Sequence, residues 1–434
     1  MTTVSPEQPF VPVLYGGDMG TYAMARAFHE NYGVTSVIVT GDPNGSINHS
    51  AIVDLRPAGT MKDEARVIQF LLDQGRELSG PNRRPLLLLG SLDLHIGQLV
   101  RNREALEEFY TLPYPDEQTI TQAANKSEFY AVCEKLGIPH PRTVVIDPRK
   151  VASEGAEAAV PEELPEFPLI GKPADSAAWV DASFEGKQKV FRFTDRDAVV
   201  TMVGRMAKGG YTQPFILQEM IPGGDENMRL CSMYGAKDGS GTLYVANANV
   251  VVEEHSPIVE GNSAGIVTTD NPDIVPSVKA LVEHYGWTGW AMVDAKLDPR
   301  DGVVKLFEMN PRLGRNHYYM QAAGLAASRV YVQEWLDANE FGLSDGTPVV
   351  SDADSRVEGG SRVLTREHLY TVLPLWLLKK YAKGTSGAQA KELIKARKVT
   401  NPLFHKAERH PRRWLYIAMA MVNYVKKFRD FPPA

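Results

Sequence analysis

A hairpin signature near residue 300 constrains this chain more than any other feature. Residues 291–297 read AMVDAKL and residues 303–315 read VVKLFEMNPRLGR, two apolar runs with the alternation of half-buried strands. Between them, Asp298-Pro299-Arg300-Asp301-Gly302 has the composition of a turn. Strand side chains alternate between faces, so Glu308 and Asn310 emerge together. Pairing Leu297 with Val303 sets Asp294 opposite Leu306 and diagonal to Glu308, so that two carboxylates and an amide oxygen converge, with Arg312 just beyond. Hard oxygen donors beside a guanidinium suit a divalent cation and a phosphate. A strand end with solvated charges fits the same spacing.

A chain of 434 residues exceeds one ordinary core and implies two or three packed units. The first ten residues, MTTVSPEQPF, have no basic start or apolar core, so no signal peptide is expected. No apolar run approaches the roughly 20 residues that cross a bilayer. Cys133 and Cys231 sit in apolar patterns and read as core thiols, not as a disulfide or metal pair. The expected compartment is the cytoplasm. Charge is uneven: between 379 and 429, fourteen Lys or Arg face only Glu392 and Glu408, in a chain of net charge −6. A basic tail on an acidic body signals a partner, or simply a solvated helical face.

Residues 9 to about 120 alternate apolar strands with helical patterns, a βαβ unit with a parallel sheet. The turn Gly16-Gly17-Asp18-Met19-Gly20 sits where a ligand would meet a helix N-terminus, but lacks the dinucleotide-binding spacing. A second unit opens at Asn125, an N-cap with Glu128 in the reciprocal position. Residues 147–168, rich in Ala, Glu and Pro, read as a mobile connector. Strands suited to an α+β unit follow, through FILQEMIPGGDE at 215–226 and the hairpin. Domains are expected at 1–120, 121–350 (divided near 210) and 351–434, the last a basic helical extension. Lys172 ends an apolar strand, where it either snorkels to water or reaches a phosphate. Lys126, one residue into its helix, reads on its own as a solvated charge.

In order, these features resemble the ATP-grasp superfamily: a βαβ domain, a lysine helix, a strand ending in Lys-Pro, an apolar hinge ending in Pro-Gly, then Asp and Glu-x-Asn on paired strands. The resemblance spans roughly residues 10–340. It implies an ATP-grasp fold behind a pre-ATP-grasp βαβ domain, with ATP held between two α+β subdomains. It puts Lys126 and Lys172 on the phosphates, Gln218, Glu219, Met220 and Ile221 at adenine, and Glu226 at the ribose. Asp294, Glu308 and Asn310 would hold Mg²⁺ (Mn²⁺ being chemically equivalent there), and Arg312 would contact the transferring phosphate. One departure is plain: the loop at 174–179, ADSAAW, has no glycine, whereas many members close a glycine-rich loop over the phosphates.

Within the superfamily the chain is similar to the D-aspartate ligases and their carbamoyl-phosphate-synthase-like relatives, through ANKSEFYAVCEKLGIPHPRTVVID, SFEGKQKVFRF, LQEMIPGGDENMRL and FEMNPRLGRNHYYMQAAGL. That resemblance implies an ADP-forming carboxylate–amine ligase joining D-aspartate to the side-chain amine of a peptidoglycan stem peptide. The acceptor would be a peptide, or a muramyl peptide linked to UDP or lipid. Lys172, Arg312 and Arg315 would carry the catalysis, with Arg315 or Arg229 holding the donor's free carboxylate. An amino-acid or dipeptide ligase making a small metabolite is the rival, and a non-catalytic ATP-binding regulator a second. No carrier-lysine motif supports biotin carboxylation. Residues 410–428, HPRRWLYIAMAMVNYVKKF, are too short to span a membrane. They suit either peripheral contact at its inner face or packing on the body or on a homodimer partner. No nucleic-acid-binding module accompanies the charge.

Overall fold

The computed structural model describes residues 3–41, 45–81, 83–174, 179, 182–188, 190–257, 259–336 and 342–433. The chain divides into two compact units: Met1–Ile120, Gly224–Val293 and Asn310–Ala434 make the first, Thr121–Gly223 and Asp294–Met309 the second.

In the first unit, continuous Val, Ile and Leu runs give strands buried on both faces, as parallel sheets require. Val11–Tyr15, Ser36–Thr40, Val53–Pro57, Leu86–Gly90 and Tyr110–Thr111 pair in parallel. Their spatial order is third, second, first, fourth, fifth, so the winding reverses between Val11–Tyr15 and Leu86–Gly90. Outside the carboxyl ends of two such strands a crevice opens, the usual ligand position in an open α/β sheet. The helix Met19–Tyr32 starts there. Asp18 caps it by accepting from the Thr21 amide at 2.9 Å, and Gly33 ends it at φ 67°. The cap carboxylate offsets the positive end of the helix and makes it a poor free anion site.

A second, largely antiparallel sheet follows, and it includes, in this order, Met228–Gly235, Thr242–Glu254, Asn262–Thr268, Leu369–Thr371 and Val399–Thr400. The C-terminal extension is therefore not purely helical. Its strands run two to four residues, too short for a period-two pattern to register. Its last helix, Pro411–Asp430, buries Arg413, Ile417, Tyr424 and Phe428, spaced as one face of a helix. Among the described residues, no helix is long and apolar enough to cross a membrane.

The second unit holds a four-stranded antiparallel sheet ordered Thr143–Ile146, Phe215–Glu219, Leu169–Pro173, Phe191–Phe193. Its core gathers Phe191, Phe193, Phe215, Val199, Val203 and Trp179. Gly171 is needed because a Cβ would lie 2.5 Å from the Phe193 ring. The expected connector is instead three short helical turns, Pro148–Lys150, Val151–Glu154 and Ala156–Ala159. Burial of Val160 in the core and the Arg196 bond to its carbonyl, 2.9 Å, supply the order that composition did not reveal.

The hairpin closes one residue from the expected register. The Asp298 amide donates to the Val303 carbonyl, and the Gly302 amide donates to the Asp298 carbonyl, both at 2.8 Å. Gly302 has φ 76°, so the turn ends in a glycine bulge that opposes two residues to one. The Leu297–Val303 pairing therefore does not form, and with it goes the derivation that set Asp294 diagonal to Glu308.

Candidate active site

The second unit carries eight of the expected residues: Lys126, Lys172, Gln218, Glu219, Met220, Ile221, Asp294 and Glu308. Asn125 caps the helix Lys126–Leu136 by accepting from the Ser127 and Glu128 amides at 3.0 and 3.3 Å. The first helical residue is thereby fixed, and Lys126 Nζ lies 2.7 Å from Glu308 Oε2. The Tyr130 hydroxyl of the same helix donates to the Phe307 carbonyl at 2.5 Å, tying helix to strand beside that ion pair. Lys172 Nζ stands 5.5 Å from the centre of the Phe307 ring, a cation–π distance. Two ammonium groups and the Glu308 carboxylate thus gather around residues 307–308.

The expected adenine residues are also tied into the fold. Gln218 is buried and donates through Nε2 to Thr143 Oγ1 at 2.9 Å. Glu219 accepts from the Arg142 amide at 3.0 Å and pairs with Arg300 at 2.9 Å and Lys305 at 3.4 Å. Burial acts to raise the Glu219 pKa, but the amide and the two cations outweigh it and hold it below the ordinary carboxylate range. Gln218 ties the strand Phe215–Glu219 to Thr143–Ile146, and Glu219 ties it to the hairpin turn. The backbone beyond is also engaged: Met220 N donates to the Pro168 carbonyl at 3.3 Å, and Lys296 Nζ donates to the carbonyls of Ile221 at 3.0 Å and Gly223 at 2.8 Å.

Asp294 is half-buried on its strand, and Glu308 is one-third exposed. Among the described residues no group of three His, Cys, Asp or Glu side chains gathers as a metal cluster. The donors of the expected set, two carboxylates and the Asn310 amide, are hard oxygens that fit Mg²⁺. Residues 175–178, most of the glycine-free loop, lie outside the described residues.

The first unit carries Glu226, Asn310, Arg312 and Arg315, and gives the two arginines a setting that the sequence did not reveal. At the sheet's switch point lies a small cleft of about 30 Å³, lined by Asp18, Thr21, Ser91, Arg312, Arg315 and His317 among others. Gly20 permits the closeness, since a Cβ there would lie 2.8 Å from Arg315 Cα. Arg312 Nε is 2.8 Å from Asp93 Oδ1. Arg315 makes long contacts, 3.4 Å to Glu254 and 3.2 Å to the Tyr424 hydroxyl, while Glu254 pairs more closely with Lys427 at 2.7 Å. Charge-assisted bonds of full strength run shorter than the two that Arg315 makes. Arg229 instead donates to the Glu226 and Met228 carbonyls, both at 2.9 Å.

His317, close to the arginines in sequence, reads there as part of an aromatic cluster under a loop rather than as a base, and the structure gives it a more specific setting. Its Nδ1 faces the Gly314 carbonyl at 3.0 Å; a carbonyl only accepts, so Nδ1 carries the proton and Nε2 is left as an acceptor. Nε2 is buried with no hydrogen-bond partner among the described residues. Burial pushes the His317 pKa down to about 4, so the ring is neutral at ordinary pH. The sequence signal was only a histidine two residues after an arginine. What marks it is the orphaned nitrogen beside a cleft, which spacing cannot supply.

No family model matches the chain. D-aspartate ligase of Enterococcus faecium is 28% identical over 433 residues, covering 99% of this chain and 98% of that protein. Among solved structures, L-amino acid ligase of Bacillus licheniformis superposes with a TM-score of 0.52 at 15% identity, over 77% of each chain. The biotin carboxylase domain of Hydrogenobacter thermophilus 2-oxoglutarate carboxylase, solved with MgADP and bicarbonate, gives 0.53 at 14% identity, over 75% of this chain and 69% of that one. The chain has the ATP-grasp fold, and along almost its whole length it resembles D-aspartate ligase.

Proposed function

We propose that the protein is an ATP- and Mg²⁺-dependent carboxylate–amine ligase that adds D-aspartate to the side-chain amine of a peptidoglycan stem peptide. The observation that carries this reading is similarity to a D-aspartate ligase that runs through both units and leaves almost nothing unmatched. The site residues support it in chemical terms. Lys126 and Lys172 hold the phosphates of ATP. Asp294, Glu308 and Asn310 hold Mg²⁺, which neutralises phosphate charge when bound. Lys126 is paired with Glu308 at 2.7 Å, which puts that ammonium beside the carboxylate that would hold the metal. The donor's β-carboxylate oxygen attacks the γ-phosphorus in line, giving an acylphosphate and ADP. The uncharged amine then attacks the acyl carbon, and phosphate leaves as the amide forms.

The donor's α-amino-acid end meets the first unit at this small cleft. Arg315, loosely paired, takes the α-carboxylate with its planar fork. His317 Nε2, a neutral acceptor, takes an N–H of the α-ammonium. At a pKa of about 4 it is a poor proton sink but a good orienting group. Arg312 steadies charge at the carboxylate that reacts.

The test is ADP release with mass spectrometry of products, using Mg-ATP, a panel of D- and L-amino acids and a Lys- or ornithine-containing UDP-muramyl pentapeptide. A product mass matching condensation of the peptide with D-aspartate, dependent on both, is expected. Condensation with another amino acid keeps the mechanism and replaces the donor; ADP release without peptide product removes the peptidoglycan acceptor.

A further inference from the structure

The C-terminal helix has two apolar faces, and only one is used by the fold. Arg413, Ile417, Tyr424 and Phe428 point inward and are buried. On the other side Leu415, Met419 and Val422 are exposed by 63%, 61% and 70%, at the i, i+4, i+7 spacing of one stripe. Trp414 and Phe404 flank it, both exposed and with ring centres 5.9 Å apart. A solvated face would carry polar residues at these positions; a packed one would cover them.

Charge at the ends of the stripe identifies what covers it. Lys406, Arg409 and Arg412 are exposed at its start and Lys426 at its end, and no ion pair engages any of them among the described residues. The acids close to them in sequence are spoken for. Glu408 is buried, accepting from Tyr22, Ser50 and the Ala51 amide, and Asp430 pairs with Arg429. An apolar stripe with exposed cations at both ends matches a lipid surface with anionic head groups, where the cations reach the phosphates and the apolar side chains enter the acyl boundary. A second copy of the helix suits it poorly, since a two-fold pairing would set Arg412 against Lys426.

We propose that the outer face of Pro411–Asp430 docks the protein on an anionic membrane surface. The inward face does not have to unpack for this, and the helix lies flat without spanning. Docking stands apart from the ligase reading: it needs neither the cleft nor the metal residues. If the acceptor is lipid-linked, it would also hold the enzyme where that acceptor is presented.

The experiment is co-sedimentation of the full chain with vesicles of phosphatidylcholine alone or mixed with phosphatidylglycerol, at low and high salt, with light scattering of the free protein. Binding to the anionic vesicles alone, weakened by salt, is expected. Leu415→Ser, Met419→Ser and Val422→Ser together should abolish it without moving the melting temperature, because all three side chains are outside the core. Arg412→Glu with Lys426→Glu should weaken it at least about ten-fold, each basic residue near such a surface counting for roughly five-fold. Absence of binding at low salt, or binding that survives the serine variant, overturns the proposal. So does a wild-type dimer that the serine variant dissociates without any vesicle binding, which would assign the stripe to a second copy.

Discussion

Around the hairpin turn of the second unit, charges close on one another. Asp298 is fully buried and accepts from Arg300 and from Lys305, the latter at 2.8 Å, while both cations also reach Glu219. In the cleft of the first unit, polar groups are left open. Arg315 has only long contacts, and His317 Nε2 has none. A satisfied network fixes one geometry and has nothing to offer a ligand. A buried acceptor without a partner costs stability, of order 1–3 kcal/mol, and implies that something else fills it. Residue types alone would have ranked the two regions the other way, because the turn is much richer in charge.

The Lys126–Glu308 pair is satisfied in the fold, yet it is the pair proposed above to meet phosphate and metal. Glu308→Ala should lower ATP turnover at saturating Mg²⁺ by about a hundred-fold or more, as loss of a group that stabilises developing charge does. Thermal melting should hardly change, because both side chains are partly exposed. Near-normal turnover would remove Glu308 from the metal set.

Asp298→Ala should do the reverse. It leaves Arg300 and Lys305 without their buried partner, a change that costs 3–5 kcal/mol when fully buried. Arg300 is about half exposed, so a loss of about 2–3 kcal/mol is expected, read as a lower denaturant midpoint. The kcat per folded molecule should stay close to that of the parent protein. A collapse of kcat with stability intact would show that the turn acts in the chemistry.

Much of the fold was legible because it rests on local rules. The strands at 11–15, 36–40 and 86–90 and the Asn125 cap follow from apolar runs and end signals. Cys133 and Cys231 are both buried and free, as apolar patterning implied. The hairpin was visible but its register was not, since a glycine bulge moves pairing by one without altering composition. Glu219 looked like a ligand residue because its partners, Arg300 and Lys305, are more than eighty positions away in the chain. The cleft was illegible for the same reason: it joins residues near 18, 90 and 315, and only the reversal of strand order brings them to one edge.

The cleft makes its own prediction for binding. His317→Ala should raise the KM for the donor amino acid about ten-fold, the value of one hydrogen bond to a charged group, and leave the KM for ATP alone. His317→Gln, whose carbonyl can still accept, should recover part of the loss. An equal rise in both KM values would point to distortion of the unit rather than lost donor contact.

The smallest expected effect concerns pH. His317 and His95 are both buried, and burial is the main force that pushes each pKa down to about 4. In the unfolded chain each titrates near 6.5. A base whose folded pKa is depressed gives the unfolded state the first proton as pH falls. Stability is therefore full above about 6.5 and declines toward 4, by about 1.4 kcal/mol per histidine near pH 5.5. His317→Gln should flatten the decline by one histidine's share, with unfolding midpoints measured across that range. An unchanged slope would mean that the ring is protonated in the fold. Its Nε2 would then be a donor, and the cleft would call for a carboxylate at the position now assigned to the ammonium.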